Sequence, residues 1–159
     1  MASQQQIDAT DRELLAMLQQ DARLPYLEIG RRLGLSGASI HQRVNRLRGL
    51  GVIRGSSVRL DRRRLGLDVM VVLGLHLRSA GDVDEVLAGL REFPEVIEAY
   101  YTTGNYSLML KVVAPSIEAF HHFLRERLQS IDAIRATESF VCLDQPIDRE
   151  VDVSRLPAG

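Results

Sequence analysis

The sequence predicts an α+β chain in two parts, a front of three helices and a rear in which strands and helices alternate. Charge divides the same way: residues 1–66 hold 12 arginines and no lysine against 6 acids, whereas residues 67–159 hold 8 basic side chains against 15 acids. A net charge of −1 therefore conceals halves of +6 and −7. The apolar period changes at the same place, from helical spacing to a Val/Leu-rich run beginning at Val69. The third observation is an absence of carboxylates: no acid occurs from Gly37 to Leu60, as a polyanionic partner requires.

In the front half, Leu14, Leu15 and Leu18 form an apolar stripe that predicts a helix over Ile7 to Gln20, with Asp8 or Thr10 as its cap. Pro25 disfavours a helical Leu24 and separates a second helix, Tyr26 to Leu33, which Gly34 stops. Ser36 then sits at an N-cap position before a third helix. In it Ile40, Val44 and Leu47 recur at i, i+4 and i+7 and bury one stripe, while Ser39, Gln42 and Arg46 fall on the opposite side with Arg43 on its flank. Helix, tight turn and capped helix make a helix-turn-helix. Its outer face offers hydroxyl, carboxamide and guanidinium groups to base edges and phosphates of double-stranded DNA, so Ser36, Gly37, Ala38, Ser39, His41, Gln42, Arg43 and Arg46 are the candidate DNA-contacting residues. An arginine-rich solvated helix is the plainer reading, and His41 fits a scaffold role as well as a phosphate contact.

After Gly51, Val52, Ile53, Val58 and Leu60 alternate loosely with polar residues around Gly55, which predicts a small hairpin or connecting strand, the wing of a winged helix-turn-helix. Arg62-Arg63-Arg64 leads to Gly66 and reads equally as a linker touching phosphate or a solvated run. The expected division is a DNA-binding domain over 1–60, a linker over 61–66, a second domain over 67–146 and an extended or mobile tail over 147–159.

The second domain reads as a strand over Val69 to Leu77, a helix over Asp82 to Phe93, strands over Val96 to Thr103 and Tyr106 to Val113, a helix from the Ser116 cap to Gln129, and a strand over Ile134 to Leu143. Gly104-Asn105 suits a two-residue primed turn between the middle strands. The order βαββαβ is that of a ferredoxin-like sandwich.

Other classes are disfavoured. Cys142 is the one cysteine, so neither an intrachain disulfide nor a cysteine metal cluster can form, which fits a reducing cytoplasm. No apolar run approaches the roughly 20 residues of a membrane span, and the opening Met-Ala-Ser-Gln-Gln-Gln lacks the pattern of a signal peptide. The expected compartment is the cytoplasm, with no membrane partner. His121 and His122 are adjacent on a helix and cannot face one metal together. No paired catalytic carboxylates, nucleophile triad or phosphate loop stands out, so neither a catalytic nor a metal site is expected.

Over Ile7 to Pro146 the chain resembles the Lrp/AsnC family of feast/famine regulators. The resemblance rests on Asp11, Leu14 to Leu18, Asp21-Ala22-Arg23, Ile29-Gly30, Leu33-Gly34-Leu35-Ser36, Arg43-Val44, Arg46-Leu47, Gly51-Val52-Ile53, Thr103-Gly104-Asn105-Tyr106 and Leu110-Lys111-Val112. Glu98 to Gly104, Ser116-Ile117, Gln129 to Asp132 and Thr137-Glu138 resemble its asparagine-responsive branch. The resemblance implies a sequence-specific transcription regulator that is a homodimer, assembling further to tetramers or octamers, and that binds a small amino acid, asparagine, between subunits. It also implies that Gln129, Thr137 and Glu138 approach the hairpin carrying Tyr101, Thr102, Gly104, Asn105, Tyr106 and Ser107. The N–H groups of Gly104 and Asn105 suit a carboxylate, Glu138 an ammonium, and the hydroxyls and carboxamides a polar side chain. Family members often carry Gly-Asp and Tyr-Asp where this chain has Gly104-Asn105 and Tyr106-Ser107. Read without the resemblance, the favoured reading is that Gly104-Asn105 is only turn chemistry and that Thr102, Thr103 and Ser107 are ordinary strand polar residues. An effector-independent DNA organiser, or a regulator answering to a different amino acid, shares the basic front.

Overall fold

A computed structural model describes residues 7–155; the first six residues of the expected front domain and the last four of the expected tail lie outside the described residues. The chain divides into two compact units, one running to Arg59 and resuming at Asp148, the other spanning Leu60–Ile147.

The first unit holds α1 (Ala9–Gln20), α2 (Tyr26–Leu33) and α3 (Gly37–Gly49). Leu14, Leu15, Ile29, Ile40, Val44 and Leu47 form its buried core, which are the stripes the spacing predicts. Asp8, rather than Thr10, caps α1 through a reciprocal box with Asp11. Gly34 ends α2 with a φ of 68°, a conformation that favours glycine. The two helices then meet closely, because a Cβ on Gly30 would stand 2.5 Å from the Leu35 carbonyl oxygen.

One expectation fails in this unit. Residues 52–60 form no strand, so there is no wing hairpin among the described residues; Val58 and Leu60 are exposed and find nothing in this stretch to pack against. The tail has no helix or strand over residues 147–152, as the extended reading has it, and it is held against this unit. Val153 packs on the helical core, Gln19 Nε2 donates to the Val151 carbonyl at 2.8 Å, and Arg59 pairs with Asp148 at 2.7 Å. Scattered valines in a polar segment give no periodic signal, and it takes one packed valine together with these polar contacts to seat the segment.

The second unit is a four-stranded antiparallel sheet in the order β2-β3-β1-β4, built from β1 (Val69–Leu77), β2 (Val96–Tyr101), β3 (Leu108–Ala114) and β4 (Ile134–Val141). Two helices, α4 (Val83–Leu90) and α5 (Ile117–Phe123), cover one face. Val71, Leu73, Leu75, Leu108, Leu110 and Val112 point to them and bury with Val86, Leu90, Phe120, Phe123 and Leu128. This is the βαββαβ arrangement the sequence predicts. Residues 61–66, the expected linker, form a self-bonded turn within this unit: Asp61 accepts from the N–H groups of Arg63 and Arg64, and the Arg62 guanidinium donates to the Leu67 carbonyl at 2.8 Å.

Candidate functional site: a DNA-reading helix and a polar hairpin loop

The Ser36 side chain accepts from the Ser39 N–H at 3.1 Å and starts α3. With Ile40, Val44 and Leu47 buried, Ala38, His41, Gln42 and Asn45 are exposed while Gly37 and Ser39 are half-buried. The His41 ring lies 5.9 Å from Tyr26 and its Nδ1 is 3.4 Å from the Asn45 carboxamide.

The two arginines stand differently from the expectation. Arg43 Nη1 bonds Asp8 at 2.7 Å and Asp11 at 2.9 Å, and Arg46 Nη2 bonds the other oxygen of Asp11. Arg46 still keeps 42 % of its side chain exposed and Arg43 28 %, whereas Asp11 has none. The Arg43 hydrogen bond holds the Asp8 carboxyl below the ordinary aspartate range, and Asp8, then Asp11, push the Arg43 guanidinium up in turn. Sequence reasoning gave Asp11 no role. The signal was present in two acids three residues apart in α1 and two arginines three residues apart in α3, but nothing in the sequence said that these faces meet.

In the second unit, β2 and β3 are not joined by a two-residue primed turn. A two-residue turn would need strands reaching Thr103 and Tyr106, whereas β2 stops at Tyr101 and β3 starts at Leu108, and Gly104 bends the longer loop with a φ of 111°. The loop spans residues 102–107, closed by the Thr102 N–H to the Ser107 carbonyl at 3.2 Å and by Thr102 Oγ1 to the Tyr106 carbonyl at 2.7 Å. Tyr106 leaves the ladder and lays its ring across Gly74 on the sheet face away from the helices, 5.1 Å from His76. There its hydroxyl donates to Glu138, which pushes the phenol up. Glu138 is thus beside the loop, as the resemblance implies.

Tyr101 leads directly into the loop at the end of β2, but Thr137 does not meet it within one chain. Cross-strand pairing runs Tyr101 to Leu108, Leu108 to Leu75 and Leu75 to Thr137, which places them on the helix-side face at opposite edges of the sheet. Three strand spacings separate them, about 14 Å. Tyr100 faces the other way, its hydroxyl on Glu98, so Tyr100 and Tyr101 do part to opposite faces. Gln129 ends a π-helical turn, Leu124–Leu128, that follows α5. Arg127 anchors that turn on Glu95 at 2.7 Å and over the Phe93 ring at 4.5 Å.

The first unit carries the AsnC-type helix-turn-helix domain over residues 7–48, and residues 68–152 match the Lrp/AsnC ligand binding domain. The chain belongs to the Lrp/AsnC family. Its relatives include the regulatory proteins AsnC of Haemophilus influenzae, 43% identical over 91% of this chain and 97% of that one, and of Escherichia coli, 41% identical over 91% and 95%. The E. coli AsnC structure superposes with a TM-score of 0.88 at 40% identity, covering 92% of this chain and 98% of that one. A Neisseria meningitidis transcriptional regulator in complex with L-methionine superposes at 0.82 with 27% identity, over 89% and 92%. Like other members of the Lrp/AsnC family it is a helix-turn-helix transcription regulator that binds DNA, and not an enzyme. No helix among the described residues is long and apolar enough to cross a membrane.

Proposed function

We propose that this regulator reads a specific DNA site through the outward face of α3 and answers to asparagine, bound at a site completed between subunits. The DNA reading is supported above all by Gln42, exposed on the side of α3 opposite the buried stripe. A carboxamide there can read a base edge in the major groove. Ser36, Gly37, Ala38, Ser39 and His41 line the start of the helix beside it, and Arg43 and Arg46 supply cations along it. One such helix reads a few base pairs. Pairing two about 34 Å apart on a near-palindrome multiplies specificity, and this favours a homodimer.

The effector reading is supported by the polar loop. Gly104 and Asn105 are exposed and can present N–H groups to an α-carboxylate, Glu138 can take the ammonium, and Thr102, Asn105, Ser107 and Gln129 suit a carboxamide better than an aliphatic chain. Tyr101 and Thr137 at opposite sheet edges cannot both reach one small ligand within a single chain. A site that uses both therefore takes them from two subunits, consistent with a dimer that assembles to tetramers or octamers. Binding there would favour one arrangement of subunits and shift operator affinity. A chromosomal partner would place the protein in the cytoplasm.

A thermal-shift series with the amino acids, with and without duplex DNA, tests the effector. Asparagine at about 100 times its Kd should add roughly 2.7 kcal/mol. A shift with methionine but not asparagine would reject the assignment, and no shift with any amino acid would favour an effector-independent organiser.

A further inference from the structure

We infer that Asp11 is a positioning residue for DNA recognition, its buried carboxylate setting the rotation of α3 and the places of Arg43 and Arg46 upon it. This rests on the proposal that the outward face of α3 reads DNA. The apolar stripe Ile40, Val44 and Leu47 holds α3 on the core, but burial is non-directional and tolerates small rolls and slides. Hydrogen bonds to a fixed anion do not. Asp11 is completely buried and accepts from three donors: the Asp8 N–H at 3.1 Å, Arg43 Nη1 at 2.9 Å and Arg46 Nη2.

Its own place is fixed from the other side, because its N–H donates to Asp8 at 2.7 Å in the capping box of α1. The first turn of one helix is thereby keyed to the middle of another. Arg43 and Arg46 lie one turn apart on α3, and Arg46 follows Gln42 by four residues, on the same face. A roll of α3 of a few tens of degrees would carry Gln42 off a base edge while leaving both cations near phosphate. A paired charge out of water contributes little net stability but imposes geometry, which is the property a reading helix needs.

The test uses the full-length protein, a duplex enriched by it from a random-sequence pool, and an unselected duplex of equal length. Asp11→Asn removes the charge, Asp11→Glu keeps it but moves it by one methylene, and Gln42→Ala reports on the reading face itself. Circular dichroism gives the folded fraction of each. A positioning role predicts that both Asp11 variants lose about tenfold or more on the enriched duplex, while affinity for the unselected duplex does not fall, since every cation remains and Asp11→Asn also removes an anion beside Arg43 and Arg46. Weakening in parallel on both duplexes, no weakening on either, or failure of both variants to fold would make Asp11 a scaffold residue and overturn the inference. Loss with Gln42→Ala but not with the Asp11 variants sinks the positioning role alone; no loss with any of them sinks the reading of α3.

Discussion

The ring of Tyr106 lies flat against the backbone of Gly74, so close that a Cβ at Gly74 would stand 2.5 Å from Tyr106 Cδ1 and 2.8 Å from Cγ. The contact joins the hairpin loop to the central strand β1, and the Tyr106 hydroxyl carries it on to Glu138 of β4. Gly74→Ala should push the ring aside and part it from Glu138. A loss of about 1–3 kcal/mol is expected, as for overpacked interiors, read as a lower urea midpoint with an unchanged m-value. Tyr106→Phe, which keeps the ring and loses only a solvent-exposed hydrogen bond, should lower the midpoint less than Gly74→Ala does. If Gly74→Ala is neutral, the ring is not held where the structure places it.

Gln42→Ala should weaken binding to an enriched duplex by about 1–3 kcal/mol, the worth of a good base contact. The slope of log Kd against log salt should not change, since no cation is lost. Arg48→Ala, at an exposed position near the end of α3, should do the opposite if it meets phosphate: a similar loss on every sequence and a shallower slope. Titrations at three or four salt concentrations separate the two behaviours.

Acid should loosen the α1–α3 link. Arg43 holds the Asp8 carboxyl below its ordinary value in the folded chain, so the folded state binds the proton less readily than the unfolded state does. The stabilisation is complete above the ordinary aspartate range, about pH 4, and is lost as pH falls through the lower folded value. Melting temperature should therefore drop on the acid side of pH 4, and Asp8→Asn should flatten that limb while leaving the profile from pH 6 to 8 parallel to the original.

Truncation after Ile147 should destabilise the helical unit. It removes Val153 from the core, the Asp148 partner of Arg59 and the Val151 acceptor of Gln19. The surface ion pair counts for little; most of the loss, about 1 kcal/mol, should come from the partly buried valine side chain. Val153→Ala in the full chain should reproduce about half of it. Unfolding followed by hydrogen exchange in α1 would show the change, and protection of α1 equal to that of the full chain would mean that the tail contributes nothing.

The sequence determined the elements and their layers, because burial with a fixed period leaves a mark on every turn or alternate residue. Leu14, Ile40, Val44 and Leu47 announced the helical core, and the Val/Leu run of β1 with Ser116 and Pro94 as punctuation announced the sandwich. Only the tertiary structure decided which polar groups meet. Asp11 carries no role in the sequence until α3 crosses it, Tyr106 reads as a strand residue until Gly74 lets it leave the ladder, and Thr137 and Tyr101, brought together only by the resemblance, lie at opposite edges of one chain's sheet in the strand order β2-β3-β1-β4. Pairings of this kind depend on contacts between residues 30 or more positions apart, as with Asp11 and Arg43 or Tyr106 and Glu138. Each involves one or two side chains and so leaves no period to read, whereas apolar burial repeats along the element that carries it.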